Sequence, residues 1–261
     1  MIQEDLSHYN PEGSTLRKAQ LRMLDILKEV DAICKQNTIP YFIEAGTLLG
    51  AVRHGGFIPW DDDLDICVLR SDYKRLRRLL IENLPSTMVF QDVDTDPNYP
   101  MLIGKVRDTK SYFEEDFSSK LKYGGIYIDI FPIEKVPSWK WKETLDYIYG
   151  HCVRALQNYT DKKDKIRSAI VYPFAITIVT FTRFVNHFIS TDKYAYQYGR
   201  EGYGQYHLSD IFPLQEISFE GFLCLAPHNP DALLKTCYRD YMQIPPKEKR
   251  LTHTGKIEFY D

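Results

Sequence analysis

The sequence predicts an α/β fold of the α+β kind, a small mixed sheet flanked by helices, followed by a mainly helical C-terminal region. Three observations predict it. Apolar residues recur at helical spacing over 14–36. Short apolar or alternating segments follow at 39–43, 63–69, 101–107 and 125–133, with helical patterns between them. Beyond Pro137 the pattern turns largely helical. The change near residue 137 divides the chain into a core with its N-terminal helix (1–137) and a helical region (138–261) that completes one compact unit around the substrate site.

Leu16, Met23, Leu27, Val30 and Cys34, widened by Leu24 and Ile26, form the stripe of the first helix, with Ser14 or Thr15 as its N-cap. Ile39 to Ile43 reads as a strand, with Pro40 near its start, where a missing N–H is tolerated. Gly46 to Arg53 turns into a short helix, and His54 to Trp60 is a loop. In 63–69 the residues alternate, with Asp63, Asp65, Cys67 and Leu69 on one face and Leu64, Ile66 and Val68 on the other. Asp72 to Asn83 is a basic, Leu-rich helix that Pro85 ends. Strands are expected at 101–107 and 125–133, helices at 139–156 and from Asp164 to about Phe188, and a loop over 194–206. A hairpin about Glu220-Gly221 and a last helix over 231–242 complete the order.

Thirty-three basic against thirty-six acidic side chains give a net charge of −3, which offers nucleic acid no global attraction. With 19 Tyr, 14 Phe and 3 Trp the chain is too aromatic to be disordered. Cys34, Cys67, Cys152, Cys224 and Cys237 show no CxxC spacing, so neither a disulfide framework nor a zinc site is read, and a reducing cytoplasm is the expected compartment. The polar start MIQEDLSHYNPEG is unlike a signal peptide. The stretch 169–189 is interrupted by Arg183, Asn186 and His187, and reads as too short and too polar to span a bilayer. It fits a core helix. Preceded by Lys162, Lys163, Lys165 and Arg167, it also fits attachment to an anionic membrane surface, at the inner face of the membrane.

The chemistry concentrates in Asp61-Asp62-Asp63-Leu64-Asp65, four carboxylates within five positions. Two such charges 4 Å apart cost about 4 kcal/mol at an effective dielectric of about 20. A solvated acidic turn accommodates that cost. A strand with an apolar back accommodates it when a cation is present, and all-oxygen ligands select Mg²⁺, Mn²⁺ or Ca²⁺. Asp63 and Asp65, on one face, would share the ion. Asp129 stands in an apolar strand between Ile128 and Ile130 and needs a partner, either the same cation or a basic side chain. Gly46 to Gly50 opens a helix whose N–H groups and dipole suit a phosphate. Together these residues describe metal-dependent phosphoryl or nucleotidyl transfer. Arg53, Lys105 and Arg107 are candidates for phosphate contact or, equally, for pairing with acids. His253 is a candidate for substrate contact or proton transfer, or a solvated residue near the C-terminus; His54 reads as a loop histidine. Trp60 and Phe57 suit a base or a quaternary ammonium group, or simple packing. The tyrosines of the second half suit a sugar or choline pocket, or an ordinary amphipathic surface.

The run YFIEAGTLLGAVRHGGFIPWDDDLDICVLRSDY (41–73) resembles the signature of the LicD family of phosphotransferases, which includes cholinephosphotransferases and is related to fukutin-type transferases. KVRDTKSYF (105–113), YIDIFPI (127–133) and YRDYMQIPPKEKRLTH (238–253) extend the resemblance. It implies a nucleotidyltransferase-type fold and a divalent metal, Mg²⁺ or Mn²⁺. Asp63 and Asp65 match the metal-binding pair, Asp61 the leading acid and Asp129 a third acid from a neighbouring strand. Gly46 and Thr47 match the turn that approaches the donor phosphates, and Gly50 the helix behind it. The implied substrate is a CDP-activated alcohol, CDP-choline first. Its phosphoalcohol would pass to a hydroxyl of a cell-surface glycan, such as lipopolysaccharide or teichoic acid, or of a lipid-linked precursor, with release of CMP. Ribitol phosphate, glycerol phosphate and phosphoethanolamine are alternative cargoes, pyrophosphate-releasing nucleotidyl transfer an alternative reaction, and an inactive binding module the reading from another class.

Overall fold

The computed structural model describes residues 5–115, 118–157, 161–250, 252 and 255–260. Helix α1 (Thr15–Gln36) begins where expected: the Ser14 hydroxyl accepts the Arg17 N–H at 3.2 Å. Strand β1 (Tyr41–Ile43) leads into α2 (Ala45–His54), and β2 (Asp65–Leu69) into α3 (Arg70–Asn83). Then come β3 (Met88–Gln91), β4 (Gly104–Asp108), β5 (Ser111–Phe113) and the long β6 (Tyr127–Lys135). The helix expected over 139–156 is divided into α4 (Trp139–Leu145) and α5 (His151–Leu156) by one π-helical turn, Asp146–Gly150. Helix α6 (Lys162–Phe188) is followed by β7 (Lys193–Tyr196), β8 (Tyr206–His207) and α7 (Leu208–Ile211). The hairpin β9 (Gln215–Phe219) and β10 (Phe222–Ala226), α8 (Pro230–Tyr238) and β11 (Ile257–Phe259) close the order.

This is the expected α/β class. The sheet runs β1-β2-β6-β4-β3, and β2 and β6 are its parallel pair. On the edge opposite β2, β6 pairs with β4 along its first half and with β7 at its last three residues; β8 pairs with β7. The sheet therefore draws strands from both sides of residue 137. Two of them, β7 and β8, lie where a loop was expected, because tyrosines and glycines there mask a short alternation. The hairpin turns at Glu220-Gly221, both with positive φ (53° and 74°), the conformation that fits strand twist in a two-residue turn. All five cysteines are free thiols.

One face of the sheet carries Ile66, Val68, Val106, Ile128 and Ile130, wholly buried in a core shared with Met23 and Leu27 of α1 and Leu76 and Leu80 of α3. Side chains alternate along a strand, so this apolar face leaves Asp65, Lys105 and Asp129 on the other.

A tight crossing behind the site is built on Gly50. A Cβ there would lie 2.4 Å from the Gly56 carbonyl oxygen, a backbone atom with little room to retreat. Gly50→Ala is expected to destabilise the protein by about 1–3 kcal/mol through this overlap. Denaturant melts of the two proteins measure it; equal midpoints would show that the crossing relaxes freely.

Candidate active site

Register places the charges. Asp65 and Asp129 are partners across the parallel pair, Asp129 faces Lys105 on β4, and Lys105 faces Gln91 on β3. Glu44 extends the same line beyond β2, its N–H donating to the Asp65 carbonyl at 3.1 Å. A row of Glu44, Asp65, Asp129, Lys105 and Gln91 thus crosses one face of the sheet.

Strand β2 begins at Asp65, so Asp63 belongs to the preceding loop, not to the strand expected from 63. Strand alternation therefore does not align it with Asp65. The loop is brought to the site by other means. The buried Gln20 side chain of α1 donates to the Asp61 carbonyl at 2.8 Å, and the Asp65 N–H donates to the Thr47 hydroxyl at 2.8 Å. Gly46 makes the remaining room: a Cβ there would lie 2.7 Å from Asp61 Oδ2 and 3.8 Å from Asp63 Oδ1. Asp62 is buried, while Gly46, Asp61, Asp63 and Asp65 open on a cavity of about 690 Å³.

Arg53 lines the same cavity, where its Nη1 donates to the Tyr241 carbonyl at 2.6 Å and so holds the 241–243 segment at the rim. Trp60 and Tyr203 line it too. Arg250 lies 5.1 Å from the Trp60 ring centre, and Phe57 is packed against Phe219. Gly50 and Thr47 serve the backbone arrangement described above. His253 lies outside the described residues. His54 is kept neutral, pushed down to about 4 by burial and by Arg53.

Lys105 and Arg107 share a face of β4 as the spacing implied, but both are buried against acids. Glu115 accepts from Lys105 Nζ at 2.7 Å and from Arg107 Nη2 at 2.5 Å, and Arg107 also donates to the Gly125 carbonyl at 2.8 Å. Burial alone would raise the Glu115 carboxyl, but the two cations outweigh it and hold it at about 2. Of the alternatives that the sequence leaves open, the structure displays the pairing with acids.

Two residues escaped sequence reasoning. Glu44, wholly buried, accepts from the hydroxyls of Tyr196 and, at 2.5 Å, Tyr206, while burial pushes its carboxyl up. Its signal was an acid at the end of an apolar strand, just before the Gly46 turn. Arg200 lies 5.5 Å over the Phe131 ring, and its buried Nε has no hydrogen-bond partner among the described residues; burial pushes the nearby Asp129 carboxyl up, against the pull of Lys105 and, more weakly, of Arg200.

The donor set suits a hard cation. Asp129 Oδ1 is buried without a hydrogen-bond partner among the described residues, although Lys105 Nζ forms an ion pair with it at 3.1 Å. Burial, then the charges of Asp63, Asp129, Glu44 and Asp61, hold the Asp65 carboxyl well above the usual carboxylate range. A divalent ion would offset that crowding. Among the described residues, no group of three such side chains is already drawn to ligating positions.

A mixed sheet with acids from adjacent strands beside a glycine-led helix is the architecture of a nucleotidyltransferase-type domain. The family model of the LicD/FKTN/FKRP nucleotidyltransferase domain matches residues 38–175, and the chain belongs to this family. It is 33% identical over 125 residues to the lipopolysaccharide cholinephosphotransferase LicD of Haemophilus influenzae, covering 48% of this chain and 46% of that protein. An uncharacterized Rickettsia prowazekii protein is 39% identical over 90 residues (34% of this chain, 32% of that protein). The mouse ribitol 5-phosphate transferase FKRP is 34% identical over 76 residues, covering 29% and 15% of the two chains. The chain thus spans about half the length, or less, of the curated relatives that it matches.

The raised Asp65 carboxyl has a consequence for stability. A folded-state pKa above the unfolded value stabilises the fold at low pH, and that contribution is lost as pH rises through the folded value. Near neutral pH without metal, the Asp65 charge therefore opposes folding. Asp65→Asn should raise the metal-free melting temperature by roughly 2–4 °C, the shift that about 1 kcal/mol gives in a domain of about this size. Calorimetry at pH 7 in chelator tests it, and a lower Tm would contradict the crowding. Glu115 acts in the opposite sense. Its depressed carboxyl stabilises the fold above about pH 4.5, and that contribution is lost as pH falls towards 2. Glu115→Gln should therefore flatten the acid limb of a stability–pH curve, and an unchanged limb would contradict the assignment.

Proposed function

We propose that the protein transfers a phosphoalcohol from a CDP-activated donor to a hydroxyl of a glycan, releasing CMP, with phosphocholine the first candidate cargo. The observation that carries the reading is the pairing of Asp65 with Asp129 across adjacent strands, with Asp65 opening on a cavity that Asp61, Asp63 and Gly46 also line. Membership of the LicD family and the names of two relatives, a cholinephosphotransferase and a ribitol 5-phosphate transferase, support the kind of reaction.

Asp61, Asp63, Asp65 and Asp129 would hold Mg²⁺ or Mn²⁺, which when bound neutralises the diphosphate and stabilises the departing phosphate oxygen. The remaining work falls to the chain. The acceptor oxygen forms a bond to the phosphorus that bears the alcohol. The bond from that phosphorus to the CMP oxygen breaks, its electron pair leaving with CMP, and the acceptor proton is released. The first N–H groups of α2 would meet the donor phosphates, with Gly46 leaving room for the Asp61–Asp63 loop beside them. Arg200, whose buried Nε has no hydrogen-bond partner among the described residues, would be a guanidinium available to a donor phosphate. Thr47 fixes the first residue of β2 and with it the Asp65 side chain. Lys105, locked between Glu115 and Asp129, positions the acid instead of binding substrate.

Incubation with Mg²⁺, candidate glycans and, in turn, CDP-choline, CDP-ribitol, CDP-glycerol and CDP-ethanolamine should release CMP with one donor and add the matching mass to an acceptor. Asp65→Asn and Asp129→Asn should lower turnover by at least roughly a hundredfold, and Arg200→Ala by roughly tenfold to a hundredfold, with folding retained. No CMP from any of these donors, with release of pyrophosphate and addition of a nucleoside monophosphate when a nucleoside triphosphate is supplied in their place, would instead establish nucleotidyl transfer, the reading favoured by the name of the matching domain. Full activity of both Asn variants would remove the metal assignment.

A further inference from the structure

Helix α6 is amphipathic in the wrong sense for a helix in water. The positions it buries against the protein are mostly small or polar: Ser168, Ala175, Val179, Thr182 and Asn186. The positions it exposes are large and apolar: Ile170 is 65% exposed, Phe174 68%, Phe181 64%, Phe184 62% and Phe188 71%. Phe174, Phe181 and Phe188 follow at intervals of seven, so they share one line along the helix. An apolar groove of about 490 Å³ opens beside this line, walled by Trp141, Ile178, Phe181, Val185 and Ile189. Of the two expectations from the sequence, a core helix and attachment to an anionic membrane surface, the first does not fit this arrangement. A core helix would bury its aromatics, and α6 exposes them. The stretch read as too short and too polar to span lies in a 27-residue helix that is long and apolar enough to cross a membrane by length and composition.

We propose that this face of α6 lies in the surface of an anionic lipid bilayer, parallel to the membrane plane. Two observations select that occupant and orientation. Charge is the first. Lys162, Lys163, Lys165 and Arg167 fall within the first six residues of the helix against Asp164 alone, in a chain whose net charge is −3, where an acidic headgroup layer would meet them. Anchorage is the second. Arg183 makes a two-point ion pair with Glu134 of β6 at 2.7 and 2.8 Å, and Asn186 donates to the Lys135 carbonyl at 3.1 Å and to the Tyr198 hydroxyl at 2.8 Å. With buried positions from Ser168 to Asn186, the helix is fastened to the domain along most of its length. Crossing the bilayer would strip those contacts, whereas lying on it keeps them and buries the aromatics. Trp141 and Tyr147, 43% and 75% exposed on the neighbouring helical segment, are residue types suited to the headgroup level.

The proposal rests on the helix alone and not on the chemistry proposed above. The test is flotation of the full chain with phosphatidylethanolamine vesicles with and without phosphatidylglycerol, alongside its molar mass in solution. The wild type should float with the phosphatidylglycerol vesicles. Phe174→Asp/Phe181→Asp, on exposed positions, should stay in the dense fraction with an unchanged Tm, and Lys162→Glu/Lys163→Glu should lower partitioning roughly tenfold or more. A wild type that stays dense at low salt overturns the proposal, as does an aspartate variant that floats equally well. A wild-type dimer that the aspartate variant converts to monomer would show that a second copy covers the face. Retention in membranes of expressing cells after alkaline carbonate extraction would show spanning instead.

Discussion

The site depends on the parallel pairing of β2 with β6. That pairing sets Asp65 opposite Asp129 and, through β4, puts Lys105 on the same line. A one-residue slip would turn the whole set to the other face and bring Ile66 and Ile130 out of the core. The apolar face thus enforces the alignment of the polar one. The fold tolerates adjacent carboxylates because α1 and α3 bury the opposite face, and that burial fixes the register that crowds them. The charges closest together are the ones the packing least allows to part.

Around that row the structure separates acids that are compensated from acids that are not. Glu115 has two buried cations and stays ionised; Glu44 has two tyrosine hydroxyls and is pushed towards its neutral form by burial. Asp65 has neither and carries the charges of its neighbours. It is Asp65 that opens on the cavity. An acid left crowded at an opening while the acids behind it are satisfied is what a cation-binding cleft requires. It also explains why Lys105 and Arg107, basic residues beside an acidic cavity, serve the structure: without them Glu115 would add a further uncompensated charge beneath the site.

Much of this was legible in the sequence where the signal is local. The α1 stripe and its Ser14 cap, the Glu220-Gly221 turn and the strand character around Asp65 and Asp129 all come from spacing and turn chemistry within a few residues. What escaped depends on distant contacts. The place of Asp61 and Asp63 rests on Gln20, some forty residues away, and on the space left by Gly46, which alternation along a presumed strand could not disclose. The partners of Lys105 and Arg107 come from Glu115, in a connection that periodicity does not describe. Strands β7 and β8 are short, and tyrosine and glycine dominate the segment that contains them. Helix α6 shows the limit most plainly. Its flanking cations were legible, but it was read as shorter and more polar than the 27-residue helix is, and the side that faces the protein is held by Glu134 and Tyr198.

Strand β6 joins the two ends of this molecule. Asp129 lies near its start and Glu134, the anchor of α6, five residues further on, roughly 17 Å at the rise of an extended strand. Because that strand is hydrogen-bonded to β2 on one edge and to β4 and β7 on the other, the distance is nearly rigid. A face resting on a lipid surface through α6 would therefore hold the acidic cavity at a set height above it. An acceptor tethered to the membrane by a lipid would then search a thin layer of solvent instead of a volume, which raises its effective concentration at the cavity without any additional contact. The same geometry would favour acceptors whose reactive hydroxyl stands at that height over those whose hydroxyl lies within the headgroups.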